Sequence, residues 1–362
     1  MQKSIDIPVI SKKASFLDRI EKTILHWFRL TNDPIVKVYH GYGYASHLVL
    51  FGHVFTLSPL PRKKYRTNFW TNTFALLRSF MVKPKPGATL QIIWDEKIIK
   101  VKAGKDGFFR FEWEPGRDLS PGIYKIEVQL VDEYKDTANV LATGTGSVLV
   151  PYKSQYAFIS DIDDTFLISH SSNLRKRLYV LLTKNAHTRK PFEGVVNHYQ
   201  LLAKAGAKPD APNPFFYVSS SEWNLYDFIK EFTRTNKMPE GVYLLNQVKR
   251  LKQVWRTGQN NHGGKFTRIV RIIESYPDQK YVLLGDDSQQ DPNIYASIVE
   301  HFPGKIICVY LRNVYAKNAT NVKLLKEKIE AAGVPVCHFK RSAEAIEHSY
   351  KLGLMQMPAP EI

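Results

Sequence analysis

Cysteine is scarce in this chain, because only Cys308 and Cys337 occur among its 362 residues. The two lie in unrelated contexts, which excludes a disulfide framework and a zinc site built from clustered thiolates. Cys308 stands in the apolar run 306–309, where a buried structural thiol is expected. The chain is instead long enough to form two domains with hydrophobic cores of their own.

Long apolar runs are also missing. The first residues, MQKSIDIPVISKK, lack the apolar core of a signal peptide. The most apolar nearby segment, residues 48–55, is too short to span a bilayer and contains Gly52 and His53. We therefore expect a cytoplasmic protein, with peripheral membrane contact left open.

Acidic residues are too few to balance the basic ones. The chain has 34 Asp and Glu against 51 Lys and Arg, a net charge of +17. Such a surface attracts polyanions, whether phosphorylated substrates, anionic membranes or nucleic acid. Simple solubility explains the same excess equally well, so charge alone selects no partner. No aromatic stacking motif or groove-reading element accompanies it, and nucleic acid is not expected as a partner.

The pattern before Pro151 divides into two parts. In region 1–40, apolar residues at helical spacing over residues 11–30 predict an amphipathic helix, which either docks on a core or lies on a membrane surface. Residues 41–150 contain short β-branched runs separated by turn signals such as Asp95-Glu96 and Pro121-Gly122. This spacing predicts a small β-sandwich with an accessory role.

After Pro151 short apolar runs alternate with helical patterns. This alternation predicts an α/β fold over residues 151–362, with a doubly wound parallel sheet covered by helices. The predicted strands are residues 156–159, 215–218, 242–245, 281–284 and 305–310, with an edge strand at 334–338.

Unusual polar residues follow four of these elements. They are Asp161-x-Asp163-x-Thr165, Ser219-Ser220-Ser221, Gly263-Gly264-Lys265, and Asp286-Asp287 with Asp291. Taken singly, each has an ordinary explanation as a solvated loop, a helix cap or a surface lysine. Together they favour a ligand site, because open α/β sheets bind ligands at the carboxyl ends of their strands. Carboxylates at the end of a buried strand need a cation nearby.

In this order the four motifs resemble the haloacid-dehalogenase-like hydrolase superfamily. Three longer segments are similar to the catalytic domain of the actin-patch-type phosphatidate phosphatases: FISDIDDT at 158–165, YVSSSEWNLY at 217–226 and GDDSQQDPNIY at 285–295. The resemblance implies Mg²⁺-dependent hydrolysis of phosphatidate to diacylglycerol and phosphate, through an aspartyl-phosphate intermediate.

The resemblance also implies roles for four catalytic residues. Asp161 would be the nucleophile. Asp163 would protonate the leaving alkoxide and then deprotonate the attacking water. Ser219 and Lys265 would hold the phosphoryl oxygens, and Lys265 would also steady Asp161.

For the metal, the resemblance implies that Mg²⁺ is held by Asp161, the backbone carbonyl of Asp163, and Asp286. Either Asp287 or Asp291 would support the metal-bound waters. Asp164 is expected to have only a structural role in the turn.

Residues 169–191 are expected to form a small cap over the site. Arg175, Lys176 and Arg177 lie there beside an apolar stretch, which suggests a patch that meets anionic lipid, although a packed helix with a solvated basic face fits as well. Two other functions stay open: a phosphatase for a soluble phosphomonoester, and a lipid- or protein-binding module without catalysis.

Overall fold

The computed structural model describes residues 25, 30–44, 47–59, 69–134, 137–152, 155–167, 190–208, 210–248, 262–288, 290–315 and 318–355. The helix predicted over residues 11–30 lies outside this part of the chain, except for Leu25 and for Leu30, which begins a strand. The cap patch of Arg175, Lys176 and Arg177 also lies outside it. No helix within these ranges combines the length and the apolar character needed to cross a membrane.

The strands of the described ranges are β1 (Leu30–Thr31), β2 (Ile35–Val38), β3 (His40–Tyr44), β4 (His47–Pro59), β5 (Lys83–Pro84), β6 (Thr89–Trp94), β7 (Lys97–Lys102), β8 (Phe108–Trp113), β9 (Gly122–Tyr134), β10 (Thr137–Val150), β11 (Tyr156–Ser160), β12 (Phe215–Glu222), β13 (Gly241–Asn246), β14 (Lys280–Asp286), β15 (Ile306–Arg312) and β16 (Val336–Phe339). The α-helices are α1 (Phe69–Ser79), α2 (Val195–Lys204), α3 (Tyr226–Thr235), α4 (His262–Ser275), α5 (Asp291–His301), α6 (Ala319–Ala331) and α7 (Ser342–Lys351).

The first ten strands form one connected sheet. Its main order is β1-β4-β3-β10-β9-β6-β7, and the long strand β4 also pairs with β2, β5 and β8. Most pairs are antiparallel, while β10 and β3 run parallel. The β-rich region predicted before Pro151 is therefore present, and it begins at Leu30. Its description as a sandwich stays a prediction.

The remaining six strands form a parallel sheet in the order β13-β12-β11-β14-β15-β16. The chain enters at β11, proceeds to β12 and β13 on one side, and then places β14 to β16 on the other. The strand order reverses between β11 and β14, and the carboxyl end of a sheet at such a point is where α/β folds bind ligands. The predicted α/β class is confirmed at this level.

One apolar core joins the two sheets. The ring of Tyr39 stacks on Trp223 with centroids 4.1 Å apart, and Tyr42 meets Phe216 edge-on at 5.8 Å. These aromatic residues belong to the same buried cluster as the strands of the parallel sheet. The β-rich region is thus packed against the side of the parallel sheet formed by β12 and β13.

Candidate active site

The loop after β11 carries the first acidic motif. Strand β11 is buried, and the N–H of Asp161 continues its ladder by donating to the carbonyl oxygen of Leu284 at 2.8 Å. Asp164 turns the loop with a left-handed backbone (φ 59°), and its N–H donates to the carbonyl oxygen of Leu167 at 2.8 Å. The turn therefore holds Asp161 at the carboxyl edge of the sheet.

Three buried carboxylates meet at this edge. Asp161 follows β11, Asp286 ends β14, and Asp291 begins α5. Each offers an oxygen that lies within 4.8 Å of the other two. Thr165 Oγ1 lies 3.5 Å from both Asp161 Oδ2 and Asp286 Oδ2. The carboxylate of Asp291 therefore lies beside those of Asp161 and Asp286. The sequence analysis had expected Asp291 only to support metal-bound waters from farther away.

Lys265 from the first turns of α4 reaches into this cluster. Its ammonium lies 2.8 Å from Asp161 Oδ1 and also contacts Asp291 Oδ1, and only 4% of the residue is exposed. Burial opposes the charge on Lys265, but the carboxylates of Asp161 and Asp291 outweigh it and raise its pKa. Lys265 is therefore a charged, buried partner of both acids.

The acids nevertheless remain in excess. Burial raises the pKa of Asp161 to about 7 against the opposing charge of Lys265, and neighbouring Asp291 and Asp163 contribute to the rise. Burial, followed by the charges of Asp291 and Asp161, holds the pKa of Asp286 well above its usual range. Three carboxylates and one ammonium leave an excess of two negative charges when all are ionised. A divalent cation matches that excess.

The donor set also fits a magnesium ion. Magnesium prefers oxygen ligands, and the three side chains offer only carboxylate oxygens. Asp291 Oδ2 is buried and accepts no hydrogen bond from the described residues, so it keeps a free acceptor inside the cluster. Gly285 makes room for it, because a Cβ at that position would lie 2.6 Å from Asp291 Oδ2.

Asp163 points to a different set of partners. Its Oδ2 accepts hydrogen bonds from Ser221 Oγ at 2.6 Å and from Ser219 Oγ at 3.3 Å. Ser219 Oγ in turn accepts the N–H of Ser221 at 2.9 Å. The Asp163 carboxylate is therefore outside the three-carboxylate cluster, and metal binding by its backbone carbonyl stays a prediction. The sequence analysis named Ser221 as part of the serine motif but predicted no role for it.

Helix α4 supports the serine loop as well as the acids. Arg268 lies one turn after Lys265, and its guanidinium donates to the carbonyl oxygens of Ser219 at 3.1 Å and Leu245 at 3.3 Å. Burial lowers the pKa of Arg268 to about 10, which leaves it charged at neutral pH. The same helix thus fixes the positions of the lysine and of the serine hydroxyls.

Asp287 is turned away from the cluster. Its Oδ1 accepts the N–H groups of Val314 at 2.8 Å and Tyr315 at 2.9 Å, and its Oδ2 lies 3.0 Å from His338 Nε2. These contacts fasten the segment after β15 to the end of β14. Of the two acids considered for metal support, the structure brings Asp291 to the cluster and assigns Asp287 to this anchor.

Arg312 is a buried residue near the site that the sequence did not reveal. Its Nε donates to the carbonyl oxygen of Thr165 at 2.8 Å, and one terminal nitrogen donates to Ser342 Oγ at 3.1 Å. The guanidinium lies between the rings of Phe192 and Phe339, at 4.5 Å and 4.8 Å from their centroids. Arg312 therefore positions the acidic loop through its hydrogen bond to the backbone of Thr165.

The site lies in a region of the chain that is similar to known proteins. Residues 156–313 match the family model described as the catalytic domain of phosphatidate phosphatase APP1. Phosphatidate phosphatase APP1 of Saccharomyces cerevisiae is 28% identical over 165 residues, which cover 44% of this chain and 27% of that protein. An uncharacterized protein of Schizosaccharomyces pombe is 24% identical over 227 residues, covering 61% of this chain and 36% of its own length. The chain thus matches only about a quarter to a third of these relatives.

Among solved structures, a carbohydrate acetylesterase from Xanthomonas citri aligns with a TM-score of 0.32 and 9% identity, covering 88% of this chain and 73% of that one. A TM-score this low carries no argument about fold or function. The family model is different, because its residues 156–313 include all the site side chains described above from Asp161 to Arg312. Residues 156–313 are therefore similar to the catalytic domain of phosphatidate phosphatase APP1.

Proposed function

We propose that this chain is a Mg²⁺-dependent phosphomonoester hydrolase of the haloacid-dehalogenase-like superfamily, with phosphatidate as its substrate. The main supporting observation is the buried cluster of Asp161, Asp286 and Asp291, with Lys265 against it and a free acceptor at Asp291 Oδ2. An excess of negative charge inside the protein suits a divalent cation and, through it, a phosphoryl group.

Magnesium would be held by Asp161, Asp286 and Asp291, where it supplies the positive charge that lets an anionic nucleophile approach an anionic phosphoryl group. Lys265 contributes a second positive charge at the same edge and opposes the rise in the pKa of Asp161 that burial causes. Its contact with Asp161 Oδ1 leaves Oδ2 of the same carboxylate turned toward Thr165. That second oxygen is the one available for attack.

In the first step a carboxylate oxygen of Asp161 attacks phosphorus, and the ester P–O bond breaks. The leaving alkoxide takes a proton from Asp163, which Ser219 and Ser221 hold by hydrogen bonds. The products are the free alcohol and a phosphoryl group on Asp161. Ser219 can then turn its hydroxyl to a phosphoryl oxygen.

In the second step water attacks the phosphorus of the aspartyl-phosphate. Asp163, now ionised, takes a proton from that water as the P–O bond to Asp161 breaks. Inorganic phosphate leaves and the Asp161 carboxylate is restored, so the cycle balances without any other reactant.

The lipid substrate is inferred from the relative. The S. cerevisiae protein in this family is named a phosphatidate phosphatase, and the matched region contains the acids, the serines and the lysine discussed here. The strongly basic composition also suits an anionic lipid surface.

A phosphate-release screen tests the proposal. The full 362-residue chain is assayed with dioctanoyl phosphatidate, sugar phosphates and nucleotides, with Mg²⁺ or with EDTA. We expect Mg²⁺-dependent release from phosphatidate that is lost in Asp161→Asn. Release from soluble phosphates alone would favour the soluble-substrate phosphatase, and no release from any of them would favour the binding module.

A further inference from the structure

A groove with a volume of about 750 Å³ lies between the β-rich region and helix α3. Its walls come from β2, the second half of α1, and the segment from Trp223 to Arg234. This volume is within the range of about 300–1,000 Å³ that is usual for small-molecule sites. None of the catalytic side chains lines the groove, so it is a separate feature from the carboxylate cluster.

The groove has an apolar floor and a cationic rim. The buried side chains of Val36, Leu76 and Trp223 form part of the floor. The lining contains five Lys or Arg residues but only two acidic ones, which form ion pairs with Lys37 and Arg234. Exposed Lys125 and Lys230 add positive charge to the rim. An apolar chain would suit this floor, while the rim attracts anionic groups.

The groove begins beside the serine loop. Trp223 lines it and follows Ser221 by two residues, and Ser221 Oγ lies 2.6 Å from Asp163 Oδ2. Two residues of chain extend at most about 7 Å. The next residue, Asn224, donates to the carbonyl oxygen of Ser79 at 2.9 Å and so connects the two walls. The groove is therefore near the acid that would protonate the leaving alcohol.

We propose that this groove binds an acyl chain of the phosphorylated lipid substrate, with its cationic rim facing the anionic headgroups of the membrane. The inference rests on the proposed hydrolase function and adds the element that selects a lipid over a soluble phosphate. In the reaction, the alcohol leaves toward Asp163 while its acyl chain lies on the floor that starts at Trp223.

The test blocks the groove and compares two substrates. Ala75 and Val82 are half-buried residues of its wall, so Ala75→Trp and Val82→Trp place an indole in the space. Phe74→Trp is the matched control, since Phe74 precedes Ala75 on α1, is 38% exposed and does not line the groove. Each full-length variant is assayed with dioctanoyl phosphatidate and with glycerol 3-phosphate, and its thermal midpoint is recorded.

Burial of one methylene changes binding about fourfold, so displacing two or more predicts a loss of about tenfold or greater. We expect the ratio of kcat/KM for phosphatidate to that for glycerol 3-phosphate to fall by at least this factor in Ala75→Trp and Val82→Trp. The ratio should stay within twofold of the wild type in Phe74→Trp.

An unchanged ratio in a folded Ala75→Trp or Val82→Trp protein would overturn the groove assignment while leaving the hydrolase in place. Wild-type release from glycerol 3-phosphate but not from phosphatidate would do the same. If the wild type released phosphate from neither substrate, the proposed function itself would be wrong, and the groove assignment with it.

Discussion

Replacement of Asp291 by asparagine tests the carboxylate cluster. The change keeps an oxygen ligand but removes a negative charge whose oxygen lies within 4.8 Å of those of Asp161 and Asp286. A unit charge about 4 Å from another contributes about 4 kcal/mol at an effective dielectric constant of about 20, which is an upper limit here. Since the amide oxygen remains, we expect about 1.4 to 2.8 kcal/mol of this to be lost.

The first assay is a Mg²⁺ titration of phosphate release. A loss of that size raises the Mg²⁺ concentration for half-maximal activity about 10- to 100-fold. The second assay is thermal or urea unfolding. At a Mg²⁺ concentration about 100 times the dissociation constant, the wild type gains about 2.7 kcal/mol, whereas binding about 30 times weaker leaves about 0.9 kcal/mol.

Without metal, Asp291→Asn is not expected to lower the free energy of unfolding. Asp291→Asn ends one contact of Lys265 but relieves repulsion among three buried acids, and Lys265 keeps its 2.8 Å contact with Asp161. We therefore expect stability in EDTA that equals or exceeds that of the wild type.

Asp287→Asn is the control, because Asp287 follows Asp286 directly but bonds to Val314, Tyr315 and His338 instead. It should lower stability by about 1–3 kcal/mol through lost hydrogen bonds and leave the Mg²⁺ midpoint unchanged. An unshifted midpoint in Asp291→Asn, or a larger shift in Asp287→Asn, would refute the assignment of Asp291 as a metal ligand.

Three further changes have expected outcomes. Arg312→Lys keeps the charge but loses the contacts of the planar guanidinium with Thr165 and Ser342. We expect kcat to fall at least about tenfold and the free energy of unfolding in urea to fall by about 1.5–3 kcal/mol. An unchanged kcat would contradict the positioning role. Gly285→Ala places a methyl group 2.6 Å from Asp291 Oδ2, so it should lower the free energy of unfolding by about 1–3 kcal/mol. It should also weaken Mg²⁺ binding, measured by calorimetry, and an unaffected affinity would contradict the geometry of the cluster. Burial lowers the pKa of His198 from 6.5 to about 3. The folded protein therefore holds this histidine neutral, and its contribution to stability is complete above pH 6.5 and is lost as pH falls toward 3. The free energy of unfolding falls by up to about 1.4 kcal/mol per pH unit in this range. His198→Gln should flatten that slope in urea unfolding between pH 7 and 5, and an unaltered slope would show that His198 is not its source.

The strands of the parallel sheet were predictable because buried parallel strands read as continuous apolar runs. The runs at 215–218 and 281–284 lie inside β12 (Phe215–Glu222) and β14 (Lys280–Asp286). Their polar ends, Ser219 and Asp286, were visible for the same reason. The edge strand β16 begins two residues later than predicted, because its pattern is short and only one neighbour, β15, fixes its register.

The sequence could not show which aspartates join the carboxylate cluster and which bind other groups. Asp163 and Asp291 both follow a strand, yet one meets serine hydroxyls and the other meets Asp161. The difference depends on backbone geometry: the left-handed turn at Asp164, and the start of α5 at Asp291 over the space left by Gly285. Arg312 gave no signal because its partners Thr165 and Ser342 are 147 and 30 residues away.

The segment from Ser219 to Tyr226 connects the chemistry to the rest of the molecule. Its serines hold Asp163, and four residues after Ser219 the ring of Trp223 stacks on Tyr39 of the β-rich region. The predicted boundary at residue 150 is thus a boundary between sheets, while the apolar core continues across it. Because a shift of Trp223 would move the serine loop, the β-rich region helps to set the position of Asp163. The sequence of the β-rich region contains no catalytic motif and so could not indicate this role.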